Sequence, residues 1–131
     1  MKKGGGRSKG SAGEREMCRW LANNLELDFM PTRNLGQARD SGADIICVKP
    51  FIIEVKRCQQ LALLDWWIQI TKAWTNEYNR SGERVVAFRQ NNQPWRFLIS
   101  ATNIKLTKGF IQLEEHVARN WMKSVRYELN Y

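Results

Sequence analysis

A glutamate and a lysine interrupt an apolar stretch typical of a buried strand, FIIEVKR at residues 51–57. Successive strand side chains alternate between the two faces of a sheet, so Glu54 and Lys56 point the same way. Asp44 lies ten positions before Glu54, and a tight turn between two strands would bring the two carboxylates together at one end of the sheet. The backbone carbonyl of Val55 would lie beside them.

These groups are the ones that hydrolysis of a phosphodiester bond requires. Carboxylates are natural ligands of Mg²⁺, and a metal ion neutralises the charge that develops on the phosphate when water attacks it. The ammonium of Lys56 could contact either that water or the phosphate. A Glu-x-Lys pair on a half-exposed strand is, however, usually solvated polar surface. The pair alone therefore does not establish a catalytic site.

Glu14 admits two interpretations. Residues 11–14, SAGE, have the spacing of a capping box, in which the glutamate side chain caps a backbone N–H at the start of a helix. Glu14 also lies one turn before Met17 and Cys18, in line with the inward stripe of the predicted helix, where it could reach the metal site. The spacing leaves both roles open, whereas Glu16 falls on the other side of the helix and is expected to face solvent.

Hydrophobic periodicity predicts an α/β protein with a flexible basic arm at residues 1–10 and a single domain over residues 11–131. In chain order we expect a helix from Ser11 to about residue 26, an extended segment at 28–33, a hairpin with strands at 43–49 and 51–57, a helix at 63–80, strands at 84–90 and 94–100, and a C-terminal helix at about 111–130. The sheet should contain about five strands.

The charge balance favours a polyanionic partner. Twenty-one Lys and Arg against thirteen Asp and Glu give a net charge of +8, which attracts nucleic acid, although a merely soluble basic protein could carry the same charge. No segment resembles a membrane span or a secretory signal, so an intracellular protein is expected. Three separated cysteines and one histidine argue against disulfides and a structural zinc site.

Several segments together resemble the archaeal-type Holliday junction resolvases of the PD-(D/E)XK nuclease superfamily. In order along residues 9–100 they are KGSAGERE, the arginine Arg33, SGADII, FIIEVKR and PWRFLIS. The resemblance implies a restriction-endonuclease-like central mixed sheet flanked by helices, a two-fold homodimer, and Mg²⁺-dependent incision of four-way DNA junctions, with Mn²⁺ able to substitute. It also implies a cytoplasmic protein of a prokaryote, or of a virus within its host.

The resemblance also implies roles for individual residues. Glu14, Asp44 and Glu54 become the acidic residues of the metal site, together with the Val55 carbonyl, and Lys56 becomes the catalytic lysine. Contacts with DNA are expected from five basic residues, Lys9, Arg15, Arg33, Arg39 and Arg57.

Three points stay open at this stage. Arg39 rivals Arg33, because the loop between Arg33 and Asp44 is longer than the resemblance leads us to expect. Trp66, Trp67 and the C-terminal helix are candidates for the dimer contact, although tryptophans at such spacing also suit a core. The alternatives to a junction resolvase are a nuclease acting on other branched or duplex DNA, and a non-catalytic basic module that binds nucleic acid.

Overall fold

A computed structural model of the chain describes residues 3–35, 43–75 and 81–131. Its elements, in chain order, are α1 (Lys3–Asn24), β1 (Phe51–Arg57), α2 (Leu63–Thr75), β2 (Glu83–Arg89), β3 (Arg96–Ser100), a 3₁₀ turn (Ala101–Ile104), β4 (Phe110–Glu114) and α3 (Glu115–Glu128). The strands form one sheet in the order β1-β2-β3-β4, in which β1 and β2 are parallel and the other neighbours antiparallel. The predicted α/β class with a mixed sheet flanked by helices is confirmed, with four strands in the described ranges instead of about five.

The sheet separates two apolar layers. On one face, side chains of all four strands pack against α1 and α3, with Met17 and Met122 fully buried between them. On the other face, α2 covers the sheet through Trp66, Trp67 and Ile70. Each tryptophan is 7% exposed, so neither is available as the dimer contact for which it was a candidate. No helix in the described ranges is long and apolar enough to cross a membrane.

The first helix begins earlier than predicted. The structure places residues 3–10 in α1, so Ser11 lies inside the helix, and the predicted capping box at Ser11 is wrong. Glycine lowers helix propensity by about 1 kcal/mol per residue, but lengthening a helix that already exists costs far less than starting one. Composition therefore did not reveal this N-terminal extension, and the flexibility of residues 1–10 stays a prediction.

The predicted hairpin is reduced to a single antiparallel bridge between Ile45 and Ile53. Residues 46–50 turn sharply after that bridge, and the Phe51 N–H donates to the Val48 carbonyl at 2.9 Å, so residues 43–49 do not form the predicted strand. This short segment nevertheless lies along β1, which is the arrangement that the candidate site needs.

The predicted C-terminal helix is divided between two elements. Residues 110–114 form β4, which pairs with β3, and α3 begins only at Glu115. The four-residue spacing that starts at Leu113 predicted a longer helix, but pairing with the open edge of β3 outweighs that pattern. Of the predicted helix at 63–80, the structure describes α2 to Thr75; residues 76–80 lie outside the described part.

Gly13 allows α1 to approach β1 closely. A Cβ atom built on Gly13 would lie 2.6 Å from Cγ and 3.3 Å from Cβ of Arg57, and 3.9 Å from Cγ1 of Val55. The first of these distances is far below van der Waals contact, so a larger residue here requires a shift of the Arg57 side chain or of α1. The glycine thereby sets the position of its neighbour Glu14.

We predict opposite effects for two alanine substitutions in α1. Gly10→Ala should raise the free energy of unfolding by up to about 1 kcal/mol, because alanine favours the helix and no atom lies within 4 Å of the added methyl group. Gly13→Ala should lower it by about 1–3 kcal/mol through overpacking. Urea denaturation of both variants measures the two effects; a stabilising Gly13→Ala would contradict the close approach.

Candidate active site

Glu54 and Lys56 lie on the face of β1 that α2 covers. Ile53 and Val55 pack into the layer with α1, whereas Ile52 packs into the layer with α2, so the alternation predicted from the sequence holds. The Lys56 Nζ lies 3.6 Å from Glu54 Oε2. Glu54 is only 5% exposed, so the Glu-x-Lys pair is not the solvated polar surface that such a pair usually forms.

Asp44 is held against β1 by backbone hydrogen bonds. Its Oδ2 accepts a hydrogen bond from the Val55 N–H at 2.8 Å, and the residue is 3% exposed. On the other side, the Asn34 N–H donates to the Asp44 carbonyl at 2.7 Å, and the Asn34 side-chain amide donates to the Ala43 carbonyl at 3.0 Å. The carboxylate of Asp44 is therefore fixed beside the strand that carries Glu54.

The proximity of the two carboxyl groups changes the protonation of Glu54. Burial, and then the negative charge of Asp44, raise the pKa of Glu54 from 4.5 to about 8, although Lys56 acts in the opposite direction. A carboxylate in a poorly solvated place next to a second carboxylate binds a proton more tightly because its charged form is disfavoured. A bound cation would favour the charged form instead.

Glu14 is coupled to the same site. Partial burial, and then the charge of Asp44, raise the pKa of Glu14, while Arg33 and Arg15 lower it. The Arg33 Nη1 lies 3.8 Å from Glu14 Oε1 and donates to the Ser11 hydroxyl at 3.1 Å. Glu14 is thus near Asp44, as the second interpretation of the sequence requires.

The donor set at this place fits a divalent cation in part. Asp44 and Glu54 provide buried carboxylate oxygens, the ligand type that Mg²⁺ prefers, and their mutual repulsion is what a cation relieves. Within the described residues, however, no three His, Cys, Asp or Glu side chains converge closely enough to hold a metal ion. The metal-binding roles of Glu14 and of the Val55 carbonyl stay predictions.

Gln69 belongs to the site but was not identified from the sequence. Its Nε2 on α2 donates to Glu54 Oε2 at 3.0 Å, so the oxygen that faces Lys56 also receives a hydrogen bond from the covering helix. The sequence contains only a weak signal, because Gln69 lies outside the apolar stripe predicted for this helix. Its partner could be recognised only once the side of the sheet covered by α2 was known.

The basic residues predicted to bind DNA differ in their exposure and in their partners. Arg15 is exposed beside Glu14, and Arg33 faces Glu14 as described above. Arg57 lies on the α1 side of β1, where its Nη1 donates to Glu16 Oε1 at 2.8 Å.

Glu16 also pairs with Arg89, and its side chain is 28% exposed, so it lies partly buried against β1 and β2 instead of facing solvent as expected. The side chain of Lys9 and all of Arg39 lie outside the part that the structure describes. DNA contacts by the basic residues of the prediction stay predictions.

No family model matches the chain, and no curated protein sequence does. Among solved structures, the chain is similar to Hjc, a Holliday junction resolvase from the archaeal hyperthermophile Archaeoglobus fulgidus, with a TM-score of 0.49 and 23% sequence identity over 83% of this chain and 86% of that chain. A match at this level assigns no function to the chain.

The raised pKa of Glu54 predicts a pH-dependent stability in metal-free buffer. Between pH 4.5 and about 8 the folded protein keeps a proton on Glu54 that the unfolded chain releases, so the free energy of unfolding falls as pH rises through this window. Glu54→Gln should flatten that slope, because the amide does not titrate. Urea denaturation with EDTA across the window measures the difference.

The exposed substitution Glu128→Gln is the control and should keep the wild-type slope. Superimposable slopes for the wild type and Glu54→Gln would contradict the buried acid pair.

Proposed function

We propose that the chain is a Mg²⁺-dependent endodeoxyribonuclease that cuts branched DNA, with four-way Holliday junctions as the preferred substrate. The observation that carries this proposal is the buried Asp44–Glu54 pair beside Lys56, 3.6 Å from Glu54. A fold gains little from burying two carboxyl groups side by side, because the charged form of each disfavours that of the other. Such a pair is better explained by a cationic ligand and an anionic substrate.

Each group in the site has a chemical task under this proposal. Asp44 and Glu54 hold Mg²⁺, for which Mn²⁺ can substitute, while the Val55 carbonyl and Glu14 complete the oxygen donors. When bound, the ion supplies Lewis acidity and a counter-charge at the phosphate. Lys56 stabilises negative charge on the attacked phosphate or orients the water that attacks it.

The surroundings keep these groups in place. The Val55 N–H and Gln69 fix one oxygen each of Asp44 and Glu54, which limits the rotation that would spoil a metal site. Arg33, already directed at Glu14, is placed to pair with a DNA phosphate. These contacts support the assignment of the site to the end of β1.

The substrate class is supported by charge and by sequence resemblance. A net charge of +8 favours binding of a polyanion, and the segments from KGSAGERE to PWRFLIS resemble those of archaeal-type Holliday junction resolvases in the PD-(D/E)XK superfamily. A role in DNA recombination and repair in the cytoplasm follows from that proposal. A nuclease with the same site but a preference for other branched or duplex DNA is distinguished by competition between substrates.

The catalytic prediction is that junction cleavage requires both a divalent ion and the acid pair. Asp44→Asn and Lys56→Gln should each lower the rate of Mg²⁺-dependent cutting of a labelled four-way junction by at least about a hundredfold, because each removes charge stabilisation at the reacting phosphate. Junction binding, measured with EDTA present, should be at least as tight as that of the wild type for Asp44→Asn, which removes a negative charge, and slightly weaker for Lys56→Gln, which removes a positive charge. Product formation on denaturing gels gives the rate.

Asp65→Asn, at an exposed position of α2, is the matched control and should cut at the wild-type rate. Tight junction binding by the wild type with no Mg²⁺-dependent products would identify a non-catalytic DNA-binding module instead.

We also propose a homodimer, because resolution of a four-way junction requires two matched incisions. Leu64 and Ile68 of α2 and the preceding Leu61 are 61%, 44% and 42% exposed. We place the dimer contact on this apolar stripe.

Light scattering should give twice the chain mass of 15.4 kDa, and Leu64→Glu should reduce the measured mass to that of one chain. Leu106→Glu, at an exposed leucine elsewhere, is the control; a wild-type monomer that cuts junctions would contradict the dimer.

A further inference from the structure

An open groove runs beside α1, between that helix and the extended segment that follows it. Its volume is about 480 Å³, within the range of roughly 300–1,000 Å³ that is typical of small-ligand sites. The residues that line it include three arginines, Arg15, Arg19 and Arg33, and three apolar residues, Met30, Pro31 and Leu35. We call it the arginine groove; none of the described residues that line it is acidic.

The arginine groove adjoins the candidate active site. Arg33 lines the groove and also lies 3.8 Å from Glu14, and Arg15 follows Glu14 directly in α1. A ligand in the groove would therefore lie next to the place where a phosphate is expected to react. This neighbourhood favours nucleic acid over an acidic peptide as the occupant.

The apolar part of the groove is unusual for a surface that only contacts duplex DNA. Met30 is 58% exposed and Leu35 is 83% exposed, and their side chains have no polar group with which to bind a phosphate. A duplex presents its phosphates outward and keeps the faces of its bases inside the stack. An unpaired nucleotide presents a flat apolar base between two phosphates, which matches an apolar wall with arginines around it.

We propose that the arginine groove binds one unpaired nucleotide of branched DNA beside the active site. Met30 and Leu35 contact the base, while Arg15 and Arg19 pair with the flanking phosphates. This inference rests on the proposed nuclease function and adds the feature of the DNA that the site recognises: unstacked nucleotides at a branch point, rather than the continuous duplex of its arms.

Binding without metal tests the groove separately from cleavage. Two matched duplexes are compared in EDTA by fluorescence anisotropy, one fully paired and one with a single unpaired fluorescent adenine analogue. The wild type should bind the second about five- to tenfold more tightly, the effect expected when a base covers roughly 40–50 Å² of apolar side-chain surface, and the emission of the analogue should change on binding. The double variant Met30→Ser/Leu35→Ser should lose this preference and still bind the paired duplex as the wild type does.

Matched controls exclude general effects on the surface. Leu106→Ser, at an exposed leucine outside the groove, should keep the preference for the unpaired substrate. Arg19→Ala should weaken binding of that substrate. Its charge control is Lys108→Ala, which removes a cation at an exposed position outside the groove. Equal affinity of the wild type for the two duplexes, or an unchanged preference in the double variant, would overturn the proposal. So would tighter binding of an acidic, aromatic peptide at the groove.

A failure here leaves Mg²⁺-dependent junction cutting by the wild type unaffected. A failure of the nuclease proposal, in turn, leaves the metal-free preference for an unpaired nucleotide measurable.

Discussion

The structure depends on keeping two carboxyl groups together where water is scarce. Asp44 and Glu54 are 3% and 5% exposed, and an unpaired buried charge costs several kcal/mol. The Val55 N–H, Gln69 and Lys56 offset part of that cost by hydrogen bonding and by opposite charge. The part of the cost that is not offset raises the pKa of Glu54 to about 8. The carboxyl group therefore keeps a proton, which a divalent cation can replace.

The fold supplies the rigid frame for this pair. β1 is fixed by its parallel pairing with β2 on one side and by the Ile45–Ile53 bridge on the other. Gly13 then lets α1 approach the same strand, so that the helix brings Glu14, Arg15 and Arg19 close to β1. The helix α1, the edge strand β1 and the segment that carries Asp44 thus meet at one place.

The sequence predicted the parts of the site that depend on local periodicity. Alternation along β1 placed Glu54 and Lys56 on one face, and the proximity of Asp44 was correctly expected even though the predicted hairpin is only one bridge. Strand β4 was missed because it forms by pairing with β3, which composition does not encode. The start of α1 was missed because a helix that already exists extends at little cost into residues of low helix propensity. Gln69 and the arginine groove depend on how α2 and residues 30–35 lie against other elements, which no short-range pattern reveals.

The central claim is that Asp44 and Glu54 form a divalent-cation site. Mn²⁺ soaked into crystals of the wild type and located by its anomalous scattering tests this claim most directly. The account predicts a peak within bonding distance of both carboxylates, about 2.0–2.2 Å for an ion of this size, that disappears in Asp44→Asn. The absence of a peak there, with Lys56 still paired to Glu54, would contradict it.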